Sequence, residues 1–185
     1  MIHILRTILV VYQKMKNNNY TEKDLYGPIK IYFENVFSKD FDLKIKVFET
    51  HRVIQSNILD LFPTLNDVNA IYNYKPDLIF IIENSSQIGI IEVKDDPLKI
   101  IDVYQAKRYS EIIKSDFSFL ISPFDFIKED QGIIKNNENE NITNYYIQDT
   151  EDNILIKKIN IGIASFDAAK VKIDDIRFYS PLKFK

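Results

Sequence analysis

The chain alternates short, strongly apolar runs with polar segments that interrupt them. The pattern is clearest in the middle. Asp77 to Ile82 reads DLIFII, the polar ENSSQ follows, and IGIIEVK then runs from Ile88 to Lys94. Runs this short, apolar and rich in β-branched residues predict buried strands. A connection of so few residues predicts an antiparallel hairpin. Upstream, LKIKVFE alternates Leu43, Ile45 and Val47 with Lys44, Lys46 and Phe48, which predicts a strand whose lysines form a solvated edge face. TEKDLYGPIKIYFENVF carries Leu25, Ile29, Tyr32, Phe33 and Val36 at helical spacing, with Thr21 as N-cap and Gly27-Pro28 as a kink or a late start. After the hairpin, Pro97 opens a helix predicted to reach about Lys114, and FSFLIS, Phe117 to Ser122, reads as another buried strand.

The ends of the chain carry weaker patterns. Ile4, Ile8, Tyr12 and Met15 recur as on an amphipathic helix, and Arg6 within that run speaks against a signal peptide. Residues 51 to 72 are ambiguous. Asn136 to Asn144 is a polar, low-complexity run that reads as a mobile loop. Ile154 to Ile163 and Val171 to Phe178 alternate enough to predict a closing hairpin turning near Asp167 to Lys170. No internal repeat or linker divides the chain, so residues 1 to 185 read as one α/β (α+β) domain. Its core of about 21 to 122 has the order αβββαβ, a mixed central sheet flanked by helices, with a β-rich extension from about 123 to 185.

Composition narrows the chemistry. There are no cysteines and two histidines, His3 and His51, so thiol nucleophiles and cysteine zinc sites are excluded and a His-based triad is nearly so. Four scattered glycines leave no room for a phosphate-binding loop of the Walker or dinucleotide type. The 13 Phe and 11 Tyr read mainly as core, with base stacking the lesser use. The formal net charge is -3, so a nucleic-acid partner would have to be met by a local basic patch and a divalent cation. No run approaches the roughly 20 apolar residues that span a bilayer, and the expectation is a soluble, cytoplasmic protein without a membrane partner.

Three charged residues interrupt the two central strands: Asp77 where the first begins, and Glu92 and Lys94 where the second ends. In an antiparallel hairpin these two ends meet. Two carboxylates and an ammonium would then share one sheet edge, with Glu92 and Lys94 on the same face. Asp77, Glu92 and the Val93 carbonyl make a hard oxygen-donor set suited to Mg²⁺ or Mn²⁺, and Lys94 could orient a water or counter phosphate charge. On the next helix, Gln105 falls within the stripe Leu98, Ile101, Tyr109 and Ile112, where an inward amide needs a partner. Lys107 and Arg108 follow it and could meet a nucleic-acid backbone. The bland alternative is a solvated strand end whose charges do nothing. Asp95 and Asp96 read more naturally as caps of the helix opened by Pro97 than as further metal ligands.

Pro76-Asp77, then Glu92-Val93-Lys94, then a helix bearing Gln105 and Tyr109, resembles the PD-(D/E)xK nuclease superfamily, which includes restriction endonucleases and Holliday-junction resolvases. The resemblance covers about residues 21 to 122 and implies a restriction-endonuclease-like core. It implies a Mg²⁺- or Mn²⁺-dependent endonuclease or resolvase-like enzyme acting on DNA, with Asp77 and Glu92 as metal ligands. It also implies Lys94 as catalytic lysine and Gln105 as auxiliary. Many members place a glutamate on the first core helix, which favours Glu22, with Glu34 as the second choice. Members that cut both strands often act as dimers, which leaves a homodimer open. The other reading is an inactive nuclease-like fold serving as a DNA-binding or protein-interaction module.

Overall fold

The structure, a computed structural model, describes residues 20 to 40, 42, 44 to 50, 73 to 83, 85, 87 to 124, 126 to 135, 144 to 148, 155 to 160, 162 to 167 and 172 to 177. The N-terminal helix, residues 51 to 72, both histidines and most of the polar run before Asn144 lie outside the described residues.

Helix α1 spans Glu22–Asp40 and continues through Pro28, so the late start is excluded and Glu22 sits in the first turn. Thr21 precedes it, and its amide and hydroxyl both donate to Asp24, at 2.9 and 3.1 Å. Strands β1 (Ile45–Glu49), β2 (Leu78–Ile82) and β3 (Ile88–Val93) form an antiparallel meander. The solvated lysine face of β1 follows from its place at the sheet edge, where Lys46 is exposed and pairs with Glu83 at 3.2 Å. Helix α2 (Ile100–Ile113) then crosses over to β4 (Phe117–Ser122), which lies parallel to β3, as a strand-helix-strand crossover requires.

The remaining segment completes the same sheet. After α3 (Lys128–Lys135), β5 (Asn144–Gln148) and β6 (Leu155–Asn160) pair as a separate two-stranded ribbon. Strand β7 (Gly162–Asp167) lies parallel to β4, and β8 (Lys172–Arg177) pairs antiparallel to β7. The hairpin expected around Asp167 to Lys170 is present, but the stretch before it divides into two strands in different sheets. The main sheet has the order β1-β2-β3-β4-β7-β8.

The core lies on both faces of the sheet. On one, Leu25, Ile29 and Phe33 of α1 pack on Leu78, Phe80, Ile91, Val93 and Phe119, with the Phe33 ring edge-on to Phe119 at 5.1 Å. On the other, Ile113, Tyr109 and Ile112 of α2 close over Ile79, Ile88 and Ile90. Strands covered on both faces have no need to alternate, which is why β2 and β3 are near-continuous apolar runs. Gly89 lies opposite Phe80, and a methyl group there would collide with the Phe80 ring.

Two expectations for α2 are corrected. The helix starts at Ile100, because Leu98 is held as a bridge to Phe126. Its first amides are capped by Asp102, which accepts from Lys99 N–H at 2.8 Å, and by Asp130 of α3, which accepts from Ile100 N–H at 2.8 Å. Asp95 and Asp96 do not cap it. Ile101, expected on the inward stripe, is 64% exposed, and the buried positions are Asp102, Val103, Ala106, Ser110 and Ile113. Tyr109 and Ile112 of the expected stripe do pack on the sheet. Among the described residues no helix is long and apolar enough to cross a membrane.

Candidate active site

The β2-β3 ladder sets Leu78 opposite Ile91, so one step further Asp77 falls opposite Glu92. The start of the first strand and the end of the second therefore meet. Thr50, just past β1, fixes the Pro76-Asp77 backbone: its hydroxyl donates to the Pro76 carbonyl and its N–H to the Asp77 carbonyl at 3.3 Å.

The Asp77 carboxylate is held from two sides. Oδ1 accepts from the Tyr26 hydroxyl at 2.5 Å, and Oδ2 accepts from the Val93 amide at 2.8 Å. Tyr26 also lies 2.9 Å from Glu22 Oε1. Its hydroxyl carries one proton, so with both carboxylates ionised it satisfies only one of them. Glu22 is itself positioned from the bend after β3: its amide donates to Asp95 Oδ2 at 3.0 Å, and the Tyr20 hydroxyl donates to the Asp95 carbonyl at 3.0 Å. Asp95 thus caps α1 rather than the helix that follows it in sequence.

Glu92 is 1% exposed. Its Oε2 accepts from Gln105 Nε2 at 3.3 Å and stands 3.9 Å from Lys94 Nζ. Its Oε1 is buried and has no hydrogen-bond donor among the described residues. Gln105 Nε2 is also 3.2 Å from the Tyr109 hydroxyl, so the inward amide has the partners its position demanded. Lys94 Nζ reaches Glu22 Oε2 at 4.0 Å. The structure thus brings Asp77, Glu92, Lys94, Gln105 and Glu22 to one end of the hairpin. Glu34 sits elsewhere on α1, accepting from the Val47 amide at 3.2 Å. Val93 contributes its N–H to Asp77.

The electrostatics follow from burial and crowding. Desolvation, then the Asp77 charge, pushes the Glu92 carboxyl up to about 9, against the pull of Lys94. The same two causes raise Glu22 to about 7. Burial and the hydrogen bond to Asp77 raise the Tyr26 hydroxyl above its ordinary range. Burial alone would lower Lys94, but Glu92, Asp77 and Glu22 outweigh it and hold the ammonium charged. A buried carboxyl that resists ionisation and has an oxygen without a donor is a group that a cation would stabilise.

Among the described residues no group of three or more His, Cys, Asp or Glu side chains could hold a metal ion. Mg²⁺, however, keeps several waters and commonly binds through one or two carboxylates, and Asp77 with Glu92 meets that smaller demand. Two contributors to the site escaped the sequence reading. Tyr26 follows Glu22 by one helical turn, and that spacing is the signal that could have found it. Thr50 lies 27 positions from Asp77 with no local pattern linking the two. Comparison of the chain with protein-family models, with curated proteins and with solved structures returned no match.

Proposed function

We propose that the chain is a metal-dependent nuclease that hydrolyses DNA phosphodiester bonds, an endonuclease or resolvase-like enzyme with a restriction-endonuclease-like core. The observation that carries this reading is the buried Glu92 Oε1, which has no donor among the described residues, at the end of a hairpin that also presents Asp77 and Lys94. A solvated strand end offers no reason to bury a carboxylate, and a purely structural one would be expected to satisfy both oxygens.

Asp77 and Glu92, with the Val93 carbonyl, would hold Mg²⁺ or Mn²⁺. Bound there, the ion would supply Lewis-acid stabilisation of charge developing on a phosphodiester and acidify water. The chain's own residues do the rest. Lys94, kept charged by its carboxylate neighbours, orients a water or counters phosphate charge. Gln105 holds Glu92 Oε2 and so limits rotation of the carboxylate. Glu22 faces Lys94 and limits where its ammonium can swing.

The test is nicking of supercoiled plasmid and of branched DNA with Mg²⁺ or Mn²⁺, by wild type, Asp77→Ala and Lys94→Ala. Cleavage by wild type, lost in both variants, is expected. Cleavage that survives both substitutions removes the site assignment. Binding of DNA without cleavage in any cation would favour the inactive, binding-module reading.

A further inference from the structure

Tyr26 is buried on α1, 3% exposed, and its hydroxyl stands 2.5 Å from Asp77 Oδ1 and 2.9 Å from Glu22 Oε1. A tyrosine at this helix position could fill the core as a phenylalanine would, and its ring does pack in the same cluster as Leu25, Ile29 and Phe33. The hydroxyl goes further. It donates to one oxygen of Asp77, while the Val93 amide takes the other carboxylate oxygen. Together the two donors fix both the rotamer and the plane of the Asp77 carboxylate, and each oxygen keeps a further lone pair. The helix that carries Tyr26 is in turn fastened to the bend after β3, because Asp95 accepts the Glu22 amide at 3.0 Å. A hydroxyl on a fastened helix can hold a carboxylate in place. One on a loose helix cannot.

We propose that Tyr26 is a positioning residue for cation binding: its hydroxyl ties Asp77 and Glu22 into one unit and pre-orients Asp77 toward the ion. This inference rests on the nuclease reading above, in which Asp77 is a ligand. Hydrogen bonds to ligating carboxylates commonly set metal affinity by about 10–100-fold, and Tyr26 is placed to do so here.

The experiment is Mn²⁺ titration followed by thermal denaturation and by plasmid nicking, on wild type, Tyr26→Phe and Tyr32→Phe. Tyr32→Phe removes a hydroxyl from the same helix, on a ring that packs against the core cluster and edge-on to Phe33. The expected result is a half-saturating Mn²⁺ concentration raised by about 10-fold or more in Tyr26→Phe, in both readouts, and unchanged in Tyr32→Phe. A Tyr26→Phe protein that folds and saturates at the wild-type concentration overturns the inference while the nuclease reading stands. A wild type with no Mn²⁺ response overturns the reading itself and the inference with it. Should Tyr26→Phe fail to fold, 3-fluorotyrosine placed at position 26 keeps ring and hydroxyl. Its ¹⁹F resonance is expected to move during Mg²⁺ titration with the half-saturation seen in denaturation, and a resonance unmoved at saturation overturns the inference.

Discussion

The two carboxylates at the end of the β2-β3 hairpin face each other across one register step, yet their surroundings are unlike. Asp77, on the side reached by α1, has each oxygen occupied, by Tyr26 and by the Val93 amide. Glu92, on the side reached by α2, is more deeply buried and has one oxygen on Gln105 and one with no donor among the described residues. Equal chemistry in unequal settings separates their roles. Asp77 is a group already held in position, and Glu92 is a group whose ionised form is unfavourable even with the Lys94 ammonium 3.9 Å from its Oε2. In the proposed function a cation would stabilise that ionised form.

Breaking either side should have different consequences. The largest effect is expected for Asp77→Ala, which should bring cleavage to background. It also strands the Val93 N–H, at a cost of about 1–3 kcal/mol, visible as a lower denaturation midpoint. Lys94→Ala should reduce the cleavage rate by about 10²–10⁴-fold while Mn²⁺ still raises the melting temperature.

Glu92→Gln should abolish the Mn²⁺ response, yet make the ion-free protein more stable in alkaline buffer. The sign follows from the shift. Glu92 is raised from 4.5 to about 9 on folding, so the folded state holds a proton that the unfolded chain releases between those values. That stabilisation is complete below pH 4.5 and is lost as pH rises toward 9. Glu22, raised to about 7, adds to the slope in the lower part of the window. Wild type should therefore lose stability across this range, and Glu92→Gln should flatten the curve. At pH 8.5 the variant should melt on the order of 5 °C higher, as read by calorimetry without divalent ions. A variant as pH-sensitive as wild type would mean that Glu92 does not carry the buried proton.

Smaller effects sharpen the same contrast. Gln105→Ala removes only the long contacts to Glu92 and Tyr109, and should weaken Mn²⁺ half-saturation by about 10-fold with little change in stability. Asp95→Ala removes the cap of α1 and should cost about 1 kcal/mol, measured by denaturant unfolding.

The strands, the hairpin and the meeting of its charged ends were legible because each rests on a local rule. DLIFII and IGIIEVK are too apolar to be exposed and too close in sequence to pair otherwise than antiparallel. The inward amide of Gln105 was legible for the same reason, since a polar residue beside Tyr109 on a buried helix needs a partner. What was not legible depends on distant contacts. Asp95 looks like a cap for the helix just after it, but the amide that reaches it belongs to Glu22, 73 positions away. The helix it was expected to cap is capped by Asp130, 30 positions ahead. Ile101 looked inward because it stands three positions after Leu98, but Leu98 lies outside the helix in a bridge to Phe126 and so sets no helical face. The addition of β7 to the sheet beside β4 has no signature in either strand alone.

If the proposed function holds, the Glu92 oxygen that has no donor among the described residues is a cation ligand. Anomalous diffraction from a crystal soaked in Mn²⁺ decides this, with a manganese peak expected in contact with Glu92 Oε1 and an oxygen of Asp77, and Lys94 beside it. A soaked crystal with no peak at the hairpin end, or with Glu92 Oε1 satisfied by a protein donor instead, would contradict it.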